Sequence, residues 1–118
     1  MVVLTHRRGE LTTIRRGDNP DLVMSTYVEM GGLQRYVTGH RRIIQAISMK
    51  VAGRVGRLGP GEPLIIGSLF SFATLVQAID LVYDGSISLG EEAAEDVCDL
   101  FAVWGGVGAP RAPVLNPS

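Results

Sequence analysis

Hydrophobic and polar positions alternate with different periods along this chain, and the changes of period mark out its elements. Residues 2–16, VVLTHRRGELTTIRR, set β-branched side chains on both sides of a glycine-containing turn, which predicts a hairpin or an extended arm. Asp18-Asn19-Pro20-Asp21 then reads as loop punctuation. From Leu33 to Leu58 the period lengthens. Leu33, Tyr36, Val37, Ile44, Ile47, Val51, Val55 and Leu58 recur at helical spacing and share one arc, which predicts a long first helix. Gly59-Pro60-Gly61-Glu62-Pro63 ends it.

A second helix is expected from Leu64 to Tyr83, apolar on nearly every side. Leu64, Leu75, Ala78 and Val82 occupy one side, and Ile65, Leu69, Phe72, Val76, Ile79 and Tyr83 the next. Such a helix is central in a bundle, buried in an oligomer or embedded in a membrane. Pro63 to Ile79 carries no charge, but 17 residues is the lower limit for a span, and Ser68, Ser71, Thr74, Gln77 and Asp80 argue against lipid. A third helix, Leu89 to Trp104, is amphipathic. Ala93, Val97, Leu100, Phe101 and Trp104 fall on one face, with Glu91, Glu92, Glu95, Asp96 and Asp99 opposite. The remainder, GGVGAPRAPVLNPS, has no period. The pattern predicts a mainly α fold. A three-helix domain over residues 24–104 follows an N-terminal β-hairpin or extended arm at 1–23 and precedes an extended Gly/Pro-rich tail at 105–118.

Composition narrows this picture modestly. A length of 118 residues suits one domain, and 46% apolar with 19% charged residues suits a folded one. A single cysteine, Cys98, excludes an intrachain disulfide and an all-cysteine metal site. The opening MVVLTHRRGE lacks the apolar core of a secretory signal, so the expected location is the cytoplasm or a virion. Charge is more informative. Residues 1–58 hold ten of the eleven basic residues and four acids, net +6; residues 59–118 hold Arg111 and eight acids, net −7. Two halves so divided neutralise each other, within one chain or between copies.

Little of the sequence resembles chemistry. DLVYDGSISLGE, from Asp80, resembles the calcium loop of EF-hands at Asp80, Asp84, Gly85, Ile87, Ser88 and Glu91. It departs at Val82, which has no side-chain oxygen, and no second loop pairs with it. The simpler expectation is that Asp84-Gly85 ends one helix and Ser88 caps the next, with Glu91 completing a capping box. The run Gly53-Arg54-Val55-Gly56-Arg57-Leu58-Gly59 lacks the ending of a phosphate loop, and His6 and His40 have no second ligand at helical spacing. Acids at 96 and 99 beside Cys98 oppose a nucleophilic thiolate. No cofactor, metal or enzymatic activity is expected.

The first helix holds the feature that most needs explaining. Gly32, Gly39, Ala46 and Gly53 are spaced seven apart, and each helical glycine costs about 1 kcal/mol relative to alanine. Small residues on one stripe allow a second backbone to lie close. Arg35, Arg42, Lys50 and Arg57 border the stripe, and the acids at 91, 92, 95, 96 and 99 are its natural complement. The resulting expectation is a non-enzymatic assembly protein forming homo-oligomers, of the kind found in virions, tails or filaments. Two alternatives stand beside it: a nucleic-acid-binding module using Arg7, Arg8, Arg15, Arg16, Arg35 and Arg42 on phosphates, and a membrane-associated protein anchored by residues 64–83.

Overall fold

The computed structural model describes residues 1–6, 14–26, 35–67 and 69–105. In chain order its elements are β1 (Val2–Thr5), β2 (Leu22–Ser25), β3 (Val37–Gly39), α1 (Arg41–Gln45), α2 (Met49–Gly56), β4 (Leu64–Ile65), α3 (Phe72–Asp84), β5 (Ser86–Leu89) and α4 (Glu91–Val103). Among the described residues this is mixed α/β, four helices with two small sheets, and it replaces the mainly α three-helix domain that the periodicity predicts.

The N-terminal arm is the first correction. β1 pairs antiparallel with β5, Val2 opposite Leu89 and Thr5 opposite Ser86, so the start of the chain is a strand of the body with Leu4 buried. The turn proposed for a hairpin, within residues 7–13, lies outside the described residues, as does most of the tail, 106–118.

The long first helix is the second correction. Val37-Thr38-Gly39 is a strand, paired antiparallel with β2, which pairs in parallel with β4 to give the order β3-β2-β4. Leu22 and Met24 face inward from β2 while Val23 faces out, the two-residue period of a strand with one buried side. Helix returns only at α1, and the chain turns again through Ala46 and Ile47. Ser48 then caps α2, its hydroxyl oxygen accepting the N–H of Val51 at 3.0 Å. Much of the predicted apolar arc nevertheless meets the core: Val37, Ile44, Ile47, Val51 and Val55 are buried and Leu58 partly so, whereas Tyr36 is exposed and Leu33 lies outside the described residues.

The same device shortens the second helix. Leu64-Ile65 joins a sheet, Gly67 takes φ +77°, and Ser71 caps α3 by accepting the N–H of Thr74 at 3.2 Å. Residues 64–83 are therefore a strand, a loop and a helix. Among the described residues no helix is long and apolar enough to cross a membrane. Gly85 ends α3 as expected, in the left-handed conformation at φ +84°, its N–H donating to Leu81 O at 2.8 Å. The capped helix start expected at Ser88 is absent. Ser88 lies in β5 opposite Val3, and α4 starts after Gly90, whose N-cap position makes no side-chain cap.

The core lies where α3 and α4 pack beside β5. Leu75, Ala78, Ile79 and Leu81 from α3 and Val97, Leu100 and Phe101 from α4 are essentially inaccessible. Phe101 stands tilted between His6 and Trp104, with ring centroids 5.2 and 5.1 Å away. Two hydrogen bonds tie the start of α2 to the end of α4: Ser48 Oγ donates to Trp104 O at 2.6 Å and Lys50 Nζ to Val103 O at 2.9 Å.

Candidate functional site

The described surface carries two sets of exposed residues of opposite charge. The sequence from 30 to 61 holds six basic residues and no acid; the sequence from 58 to 110 holds eight acids and no basic residue. Arg42 on α1, Lys50 and Arg54 on α2, and Arg57 at its C-cap are exposed, as is Arg35 just before β3. On α4, Glu91, Glu92, Glu95, Asp96 and Asp99 are all exposed. Glu91 and Glu92 sit in the first turn, where the helix dipole favours negative charge. The two faces do not neutralise each other in one chain. Among the described residues the ion pair is Arg16–Asp80, Nη1 to Oδ1 at 2.5 Å, and it uses neither face.

Basic residues on α2 reach backbone carbonyls instead. Lys50 holds Val103 O, and Arg54 Nη2 donates to Ile65 O at 2.5 Å, bridging the end of α2 to β4. Beneath that bridge lies a cleft of about 290 Å³ between α2 and the segment 62–65, lined by Arg54, Arg57, Leu58, Glu62, Pro63 and Ile65. Glu62 is held on the turn, where its Oε1 accepts the N–H of Gly59 at 3.1 Å. Arg54 is the residue sequence reasoning left out. Its signal was available in the spacing of Arg54 and Arg57, one helical turn apart before a helix stop.

The small-residue stripe does not survive as a stripe. Gly39 lies on β3, Ala46 in the exposed turn after α1, and Gly53 on α2; Gly32 lies outside the described residues. A side chain at Gly53 would meet nothing within 4 Å. At Gly39 the close approach is real but internal: an added Cβ would stand 2.7 Å from Met24 Cε and 3.2 Å from Tyr83 Oη. A strand breaks the seven-residue spacing because it advances over twice as far per residue as a helix and alternates faces.

Around Gly39 the structure gathers polar groups that the sequence keeps far apart. The Tyr83 hydroxyl oxygen accepts the backbone N–H of His40 at 2.8 Å and lies 2.7 Å from His40 Nδ1. The other ring nitrogen, Nε2, meets the carbonyl of Asp18. A carbonyl only accepts, so Nε2 carries the hydrogen and Nδ1 of the neutral ring accepts from Tyr83. Burial raises the Tyr83 pKa against the opposing hydrogen bond from His40. Burial likewise raises Asp80, with Arg16 pulling it down and Asp84 pushing it up. Together Arg16–Asp80 and His40–Tyr83 clasp the connection before β2 onto α3. Arg15 is exposed; Arg7 and Arg8 lie outside the described residues.

Cys98 is half-buried on α4, its thiol pKa raised first by burial, then by Asp99 and Glu95. The residues that resemble a calcium loop are divided over α3, β5 and α4. Among the described residues no three His, Cys, Asp or Glu side chains gather as a metal site. No family model matches the chain, and no curated protein or solved structure does so either.

Proposed function

We propose that this chain is a non-enzymatic assembly subunit whose identical copies join through faces of opposite charge. The observation that carries the reading is the separation of charge on the surface. Arg42 of α1, Lys50 and Arg54 of α2 and the five acids of α4 are all exposed, with no ion pair between them among the described residues. In a monomer those charges meet water or, at Lys50 and Arg54, backbone carbonyls; across a contact between copies each face supplies the opposite charge that the other lacks. The two side chains nearest to a catalytic pair, His40 and Tyr83, are committed to each other and to backbone groups, as a structural clasp requires. A contact that joins different faces of successive copies builds a ring or a filament.

Sedimentation velocity across a salt series tests this. A discrete oligomer at low ionic strength that dissociates as salt rises is the expected result. A monomer at all salt concentrations and at high protein concentration would remove the proposal. The second reading, nucleic-acid binding, draws on the acid-free basic stretch from 30 to 61. It gains support if a monomer shifts only when duplex DNA is added, with affinity falling steeply in salt.

A further inference from the structure

We infer that the cleft between α2 and the segment 62–65 is a carboxylate socket, and that its occupant is the acidic face of α4 from a second copy of this chain. This rests on the assembly reading and specifies its contact. Arg54 and Arg57 are both exposed at the cleft, against one carboxylate, Glu62, that is held by the Gly59 N–H. The bond from Arg54 Nη2 to Ile65 O fixes one edge of its guanidinium and leaves the remaining N–H groups of a planar fork available. Such forks hold carboxylates by paired hydrogen bonds, where a lysine would act as a point charge. The volume, about 290 Å³, is at the small end for a ligand pocket and suits side-chain ends better than a cofactor.

Spacing supplies the match. Arg54 and Arg57 are three residues apart, and so are Glu92 and Glu95, and Asp96 and Asp99. Residues at that interval on a helix project side by side, roughly 5–6 Å apart at Cβ, so two guanidiniums can face two carboxylates on a helix laid alongside. The chain's own α4 meets α2 at the opposite end: Lys50 and Ser48, in or before the first turn of α2, hold the carbonyls of Val103 and Trp104. The arginine pair lies at the far end of α2 from that junction, and Glu92 and Glu95 at the far end of α4. Leu58, Pro63 and Ile65, each partly exposed, form the apolar wall of this open cleft, and a helix laid over it would cover the pairs and strengthen them relative to fully exposed ones.

Charge exchange tests the inference on the full-length chain, by sedimentation velocity with far-UV circular dichroism as the folding control. The double variants Arg54→Glu/Arg57→Glu and Glu92→Arg/Glu95→Arg should each weaken self-association about tenfold or more, by reversing attraction at the same contact. Mixed in equal amounts, the two should associate again, because each then meets its complement. Arg57→Glu alone should weaken association in the same direction; it leaves the Arg54 bond to Ile65 in place if the double variant misfolds. An oligomeric parent whose assembly survives all three variants, or variants that stay apart when mixed, overturns the socket and leaves the assembly reading standing. A parent monomeric at every salt concentration overturns both.

Discussion

Gly39 and Gly53 share a residue type and almost nothing else, and substitution separates them. At Gly39, buried at the end of the edge strand β3, a methyl group would press on Met24 Cε at 2.7 Å and on a Tyr83 hydroxyl already fixed by His40. Gly39→Ala should therefore lower stability by about 1–3 kcal/mol in urea denaturation, the range for overpacking a filled interior. At Gly53 the added methyl meets open space on an exposed helix, and Gly53→Ala should raise stability by about 0.5–1 kcal/mol. If Gly53→Ala instead disrupts assembly, bare backbone there serves a contact between copies. Cys98 gives a second test at this scale. Only the thiolate reacts with iodoacetamide, and burial together with Asp99 and Glu95 disfavours it. Alkylation should be slower than for a small thiol at the same pH, and should rise with pH to a midpoint above that of an unperturbed cysteine.

Two serines set where the helices begin. Ser48 accepts the N–H of Val51 and donates to Trp104 O, so one hydroxyl caps α2 and also docks it on α4. Ser48→Ala removes both and should cost about 1–2 kcal/mol, toward the upper end for an N-cap, whereas Ser71→Ala at α3 should cost less. The comparison is read from denaturation midpoints at constant m-value. Both caps interrupt stretches that the apolar period runs straight through. Period reports which side chains are buried, and a helix followed by a turn and another helix buries nearly the same set as one long helix. The caps were the better signal. Ser48 before MKV and Ser71 before FAT each place a side-chain acceptor three residues ahead of an N–H that needs one. The helix stop at Gly85 was legible for the same reason, since a left-handed turn after a helix calls for glycine. Ser88 was misplaced because β1 claims that segment, and no local feature of SISL reveals a strand from the other end of the chain.

For the molecule as a whole, salt is the most direct probe. Exposed charges are screened within about 10 Å at 0.1 M salt, so an assembly held by α2 and α4 faces should weaken steadily between low and high ionic strength. The clasp at Arg16–Asp80 should respond far less. Arg16→Ala should change stability by less than about 1 kcal/mol, because both partners remain a third exposed. The charge division on which the candidate site rests was fully legible in the sequence; the cleft was not, since it needs α2 beside residues 62–65, and Arg54 gains its role only from the Ile65 carbonyl. By itself, then, the sequence determined most of the buried positions, though not the exposure of Tyr36 and Leu69, together with where α3 stops and how charge divides, because side-chain hydrophobicity, glycine's access to positive φ and ionisation belong to single residues and their near neighbours. Tertiary structure alone decided that residues 22–25, 37–39, 64–65 and 86–89 are strands, and that the extended residues 2–5 pair with β5. A strand of two to four residues has no periodicity to read, and its hydrogen bonds come from partners that only the folded chain brings alongside.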